Sequence, residues 1–313
     1  MADKQKVLVI KLGALGDFVA ELGAIQTMIG KFPGAEFTLM THKSLLPIAK
    51  QMGVFSNYII DNRESYWHIG TYYRIMKEIQ KARFDCVLNF QVSSRTEGRY
   101  FPLMRWLSPV SFSWYRMSSG CTITRVKKTR PYSWGTSEVE TFQYDRKLTD
   151  LTFLHGENKH FDELPERFVT MIPGCSPGHP HKRWPAQSFA ALAQRLAEHG
   201  IHSVIIGTKT EAEEIEYIAG STPLAHNMLG KTSLLDIPDL AARALATVGN
   251  DTGPSHMTAL SGTPMIGLFA TRTKPCSIKG KQVTNIISPG PIDRITVDQV
   301  WATLLPYLGI EEK

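Results

Sequence analysis

The sequence predicts an α/β protein made of two doubly wound, parallel-sheet halves, and three observations carry that expectation. Short apolar runs alternate with longer amphipathic runs over residues 7–90, the rhythm breaks in a polar stretch at 155–165, and it restarts at Phe168. At 313 residues the chain is long enough for two domains, each with its own core. The predicted division is 1–160 and 161–313.

In the first half, residues 7–10, 37–40, 58–60 and 86–90 are too short for helices and nearly uniformly apolar, the pattern of strands buried on both faces. Between them, 18–29, 45–51 and 72–80 read as helices, the first punctuated by Phe32, Pro33 and Gly34. In the second half, 168–172 reads as a strand and 187–199 as an amphipathic helix ending at Gly200, with 203–206 the next strand, stopped at Gly207. Helices follow at 211–219, 234–244 and 255–260, strands at 224–226, 247–248, 265–269 and 285–287, and a last helix at 297–308.

Composition narrows the function classes. Hydrophobic residues make up 42% and charged residues 20%, ordinary for a globular chain, and no apolar run reaches the ~18–20 residues that span a bilayer. The run at 7–10 is too short for a signal-peptide core and leads into a glycine loop without a small-residue cleavage site, which argues against secretion. Cys86, Cys121, Cys175 and Cys276 are scattered without zinc-ligand spacing, as suits a reducing cytosol. The net charge of +6 points to an anionic partner: nucleic acid, an anionic membrane surface or an anionic substrate. Much of it lies in 95–134, where Arg95, Arg99, Arg105, Arg116, Arg125, Lys127, Lys128 and Arg130 are opposed by Glu97 alone and interleaved with Tyr100, Trp106, Trp114 and Trp134. Such a mixture suits a surface that meets phosphate and apolar chains together; it also arises where aromatics are core and cations a solvated face.

The segment with most chemistry is 248–256 (VGNDTGPSH), where a strand-like run passes into a helix. Asp251 and Thr252 supply cap chemistry, Gly253 gives close backbone access and Pro254 suits a first helical turn, so a diphosphate fits the exposed N–H groups; the same residues also open any capped helix. His256 lies one turn inside, either near phosphate or as a hydrogen-bonded core histidine. A second cluster, Lys182 and Arg183, follows a turn containing Cys175, Ser176, Gly178 and Pro180, which brings cations and backbone donors together for a leaving diphosphate. Trp184 reads as packing, and His179 and His181 lack the companion ligands of a metal site. Glu211, Glu213 and Glu214 compete for the position where nucleotide folds place a ribose-binding acid. Met228 is either core or the flank of a base. Near the start, Gly13 and Gly16 bracket a turn without the third glycine of a dinucleotide fingerprint, which leaves an oxidoreductase unsupported. Asp17 stands where that loop becomes a helix, as a cap or as a base; Lys11 is either solvated or near an anion.

Three blocks, taken in order, resemble glycosyltransferase family 9, the heptosyltransferases of lipopolysaccharide synthesis: 7–17 (VLVIKLGALGD), 172–185 (IPGCSPGHPHKRWP), and 249–256 followed by the strand-like 264–269. The resemblance implies a GT-B fold, two facing Rossmann-like domains with a cleft between them, whose last helix, 297–308, crosses back to the first domain. It implies Asp17 as the base that takes the acceptor's proton and Lys182 as a catalytic cation. Donor contacts would come from Ser176, Lys182, Arg183, Glu211, Met228, Asp251, Thr252, Gly253 and His256, and acceptor contacts from Lys11, Gly16, Arg95, Arg99, Lys127 and Lys128. Implied further are inverting transfer of heptose from ADP-heptose, an anionic lipid-linked glycan acceptor, and cytoplasmic placement with peripheral contact at the inner face of the inner membrane. No nucleic-acid partner and no cofactor are expected. The chain contains no Asp-x-Asp element, so transfer without a metal is expected as well. Where the family continues Leu-Phe-Gly-Pro-Thr, this chain reads Leu268, Phe269, Ala270, Thr271, Arg272, Thr273, which leaves the donor sugar and nucleotide open. The alternatives are another nucleotide sugar or acceptor, and a nucleotide-binding protein without transfer activity.

Overall fold

The computed structural model describes residues 4–65, 67–91, 93–107, 113–118, 122–127, 141–143, 151–154, 161, 163–175, 178–270, 278 and 280–310. The chain divides into two compact units, Met1–Thr149 and Asp150–Lys313, so the division falls earlier than position 160.

The first unit contains β1 (Lys6–Lys11), α1 (Leu15–Gly30), β2 (Glu36–Thr41), α2 (Leu46–Gln51), β3 (Asn57–Ile60), α3 (Ile69–Ala82), β4 (Cys86–Asn89), α4 (Phe101–Leu107), β5 (Ser113–Ser118), β6 (Thr122–Lys127) and β7 (Thr141–Gln143). Its sheet runs β3-β2-β1-β4-β5-β6-β7. β1 lies between β2 and β4, both parallel to it, with Val9 opposite Leu39 and Leu88, and Val7 through Ile10 are fully buried. That position explains the unbroken apolar run, because a central parallel strand is covered on both faces. α3 covers one face with Ile75, Met76 and Ile79. Beyond β4 the sheet continues through β5, parallel, and then β6 and β7, antiparallel. The basic and aromatic stretch 95–134 therefore supplies a helix and two sheet strands. Sequence periodicity assigned it none, because cations and hydroxyls break the apolar runs by which the other strands are recognised.

The second unit contains β8 (Phe168–Ile172), α5 (Ala186–Glu198), β9 (His202–Gly207), α6 (Ala212–Ala219), β10 (Ala225–Leu229), α7 (Ile237–Arg243), β11 (Ala246–Asn250), α8 (Gly253–Leu260), β12 (Met265–Phe269), β13 (Val283–Ile287) and α9 (Val297–Leu308). Every strand pair is parallel, in the order β10-β9-β8-β11-β12-β13. This is the doubly wound dinucleotide-fold order, which reverses direction between β8 and β11. α7 starts later than the apolar pattern suggests, because the Asp236 carboxylate accepts from the Ser233 backbone N–H at 2.6 Å and holds 233–236 as a turn.

The last helix corrects an expectation. α9 does not leave the second unit: Val300, Trp301, Leu304 and Leu308 pack into that unit's core with Phe189, Leu192 and Leu196 of α5. Arg167 Nη2 donates to the Leu308 carbonyl at 2.8 Å, and a Thr296–Gln299 capping box starts the helix. Each unit, taken by itself, is a Rossmann-like α/β domain built on a mainly or wholly parallel sheet. Among the described residues, no helix is long and apolar enough to cross a membrane.

Candidate active site

In an open parallel sheet, ligands bind beyond the carboxyl ends of the strands, where the winding direction reverses. In the second unit that point is the end of β8 and β11, which pair with Gly249 opposite Ile172. Buried Asn250 staples the two following loops together: its Oδ1 accepts from the Trp184 N–H at 3.0 Å and its Nδ2 donates to the Pro173 carbonyl at 2.7 Å. Gly249 lets α8 settle on this end, since a Cβ there would stand 2.7 Å from Ser255 Oγ and 2.9 Å from Ile172 Cβ. Ser255 Oγ then donates to the Asn250 carbonyl at 2.7 Å. The first turn of α8 is thereby fixed against the sheet. Its cap residue Thr252 is extended at φ −147° and makes no side-chain cap, and Thr252 and Gly253 stay half-exposed. Backbone N–H groups left without a capping side chain, with the helix dipole behind them, favour an anion.

The predicted donor residues Lys182, Asp251 and His256 meet here. Lys182 Nζ lies 2.5 Å from Asp251 Oδ2, and His256 Nε2 lies 3.5 Å from Asp251 Oδ1. Burial alone would raise the Asp251 carboxyl, but hydrogen bonds from His256 and Lys182 outweigh it and hold the group below the usual carboxylate range. Lys182 is thus ion-paired, and one carboxylate spans the two nitrogen ligands beside an open helix start. An arriving phosphate offers Lys182 a competing partner of the same sign as Asp251.

Other donor assignments find different places. Arg183 is held by the Cys175 sulfur at 3.4 Å and by Glu214 at 2.5 Å, which, with the nearby Glu211, raises its guanidinium. Glu211 is a buried capping-box carboxylate, accepting from the Thr208 N–H at 2.9 Å, the Thr208 hydroxyl at 2.8 Å and the Thr210 hydroxyl at 2.6 Å. Both its oxygens are thereby engaged. Glu213 is exposed. Met228 is buried on β10, and Ser176 lies outside the described residues.

In the first unit, the reversal point is the end of β1 and β4. Gly13 turns the chain with φ +125°, a conformation that favours glycine. α1 then begins from Ala14, which offers no side-chain cap, and Asp17 sits exposed in its first turn. An acid in the first turn is favoured by the positive end of the helix dipole. Gly16 is half-exposed in the same turn. Lys11 is 2% exposed, ion-paired with Glu21 and donates to the Phe90 carbonyl at 3.3 Å, so it braces α1 against the sheet and the solvated alternative falls away.

A cavity of about 590 Å³ opens at these strand ends, lined by Leu12, His42, Arg63, Glu64, Gln91 and Arg95 among others. Its wall rests on Asp61, which is fully buried and missed by sequence reading. Arg95 grips Asp61 with Nε at 2.7 Å and Nη2 at 2.8 Å, the Tyr100 hydroxyl donates at 2.6 Å and the Arg63 backbone N–H at 2.8 Å. Arg95, expected to meet the acceptor, thus lines the cavity while held by Asp61. Burial lowers its guanidinium less than Asp61 and Tyr100 raise it. Burial, reinforced by Asp61, pushes the Tyr100 phenol upward. His42 also lines the cavity; burial first, then Arg63 and Lys43, lower its imidazole, and its Nδ1 accepts from the Ser44 N–H at 3.2 Å, so neutral His42 carries its proton on Nε2. Arg99 is half-buried on the turn before α4. Lys127 ends β6 with its side chain outside the described part, and Lys128 lies outside the described residues.

The family model for glycosyltransferase family 9 (heptosyltransferase) matches residues 126–294, more than half of the chain. The chain belongs to glycosyltransferase family 9. It is a sugar-transferring enzyme. Lipopolysaccharide core heptosyltransferase OpsX of Haemophilus influenzae is 22% identical over 298 residues, covering 91% of this chain and 84% of that protein. The solved structure of Escherichia coli ADP-heptose lipopolysaccharide heptosyltransferase II matches with a TM-score of 0.70 at 18% identity, over 97% of this chain and 98% of the other. E. coli heptosyltransferase WaaC with ADP-2-deoxy-2-fluoro heptose matches at 0.68 and 18% identity, over 96% and 99%. At these identities the structural likenesses establish the fold alone.

Proposed function

We propose that this family 9 enzyme moves a heptose from ADP-heptose onto a lipopolysaccharide core or related anionic glycan, with inversion and without a metal ion. The observation that carries the reading is the Lys182–Asp251–His256 cluster at the uncapped start of α8. The printed names of OpsX and of the two solved heptosyltransferases support the sugar and acceptor class.

In this reading the donor diphosphate rests on the α8 backbone around Thr252 and Gly253. Lys182 leaves Asp251 for it, while His256 and Asp251 hold the loop. Asp17 accepts the proton of the acceptor hydroxyl as the new bond forms to the anomeric carbon from the face opposite the diphosphate. The bond from that carbon to the diphosphate oxygen breaks, and Lys182 with the helix start stabilises the departing charge. Because the chain has no Asp-x-Asp element, these groups supply the positive field. Gly16, Arg99, Lys127 and Lys128 would serve the acceptor, whose lipid anchor implies work at the cytoplasmic face of the inner membrane.

A thermal-shift panel of ADP-, GDP- and UDP-sugars tests the donor: a rise in melting temperature confined to ADP-sugars is expected, since a ligand selective for the folded state stabilises it by mass action. A rise with GDP- or UDP-sugars alone would replace the donor. Activity abolished by chelation and restored only by magnesium or manganese would overturn metal independence.

A further inference from the structure

The outward face of α3 carries apolar side chains where a solvent-facing helix carries polar ones. Trp67 is 90% exposed, Ile69 74% and Tyr73 59%, within seven positions of one another and at the end of α3 nearest the cavity. The inward face of the same helix is already satisfied, with Ile75, Met76 and Ile79 in the core. The exposed residues are therefore surplus to folding. Ile69, Tyr73 and Lys77 follow at i, i+4 spacing along one stripe, and Lys77 Nζ sits 4.7 Å over the Tyr73 ring. The acids nearby are engaged: Glu78 pairs with Arg74, and Glu64 accepts from the Thr71 hydroxyl at 2.6 Å. Lys77 and Lys81 are exposed on the helix's later turns. The corner is thus apolar and aromatic at its tip and cationic behind it.

Trp and Tyr with neighbouring Lys is the chemistry of the boundary between bilayer headgroups and acyl chains, where an aromatic ring buries its body and the ammonium meets lipid phosphate. Glu64 and Ser65, just ahead of Trp67, line the first-unit cavity. We infer that the Trp67–Ile69–Tyr73 corner rests on an anionic lipid bilayer and brings the cavity mouth to the membrane surface. This rests on the proposed function in one respect: a lipid-anchored acceptor keeps its tails in the bilayer while its sugars reach the cavity, so the contact belongs beside that cavity.

The test uses the full chain and unilamellar vesicles of phosphatidylcholine with or without phosphatidylglycerol. The parent protein should co-sediment with the anionic vesicles, and its tryptophan emission should shift to the blue. The triple variant Trp67→Ser, Ile69→Ser, Tyr73→Ser should keep its melting temperature and lose about tenfold or more in vesicle affinity, and Lys77→Glu should weaken binding by a few-fold. Transfer to a deacylated, water-soluble acceptor should be unchanged in the triple variant, while transfer to acceptor held in vesicles falls. Equal vesicle binding by parent and triple variant would overturn the inference. So would light scattering showing a dimer that the triple variant dissolves, because the corner would then belong to a second copy. Absence of heptosyl transfer to either acceptor by the parent would overturn the proposed function and leave the vesicle result standing.

Discussion

The two units build a polar cluster at the carboxyl edge of a parallel sheet with opposite kinds of chain. In the second unit the site is local: Asn250, Asp251, Thr252, Gly253 and His256 are nearly consecutive, and Lys182 joins them through a single neighbouring loop. In the first unit the cavity is assembled from the ends of four strands, and its wall depends on an Asp61–Arg95 pair 34 residues apart. A contiguous site is held by backbone and helix geometry, and a dispersed one by buried side-chain electrostatics. The second kind fails differently when a single residue is lost.

Asp17→Asn gives the largest effect and tests whether the exposed carboxylate of the first unit does chemistry. Turnover should fall about 10²–10⁴-fold, the range for removing a general base, while donor affinity holds. Unchanged turnover would take the role of base away from Asp17 and erase the functional side of the comparison. Next comes Asp61→Ala, which strands Arg95 in a buried wall; about 3–5 kcal/mol of stability should disappear in urea titration. A loss under 1 kcal/mol would mean the wall does not depend on this pair. Gly249→Ala strikes the local site instead, and forcing a methyl against Ser255 and Ile172 should cost about 1–3 kcal/mol.

The smallest effect concerns pH. The Asp251 carboxyl is held below its ordinary value of 3.8, so its contribution to stability is complete above that value and is lost as pH falls through the lower folded one. Urea midpoints measured between pH 5 and pH 3 should therefore drop less steeply in Asp251→Asn than in the parent. Identical slopes would mean that Lys182 and His256 do not favour the ionised form.

The contrast also explains what was readable in advance. Strands β1, β2, β4, β8 and β12 announce themselves because nearly all of their residues are buried and most are apolar. The α8 turn announces itself because glycine, proline and cap residues stand in fixed order. β5 and β6 left no such trace, since their Arg, Thr and Ser residues interrupt any apolar run. Asp61 was invisible for another reason: an acid after a strand carries no mark of burial until Arg95 and Tyr100 are folded onto it. Glu211 shows a second role that position alone did not announce: the Thr208 cap, three residues earlier, takes up its carboxylate in a capping box.

The central claim is that the second unit alone grips the diphosphate and the first unit alone supplies the base. Isothermal titration of ADP into the parent, Lys182→Ala and Asp17→Asn measures that separation directly. The account predicts parent-like affinity for Asp17→Asn and a loss of about tenfold or more for Lys182→Ala. Equal affinity in the parent and Lys182→Ala, or a collapse of binding in Asp17→Asn, would contradict it.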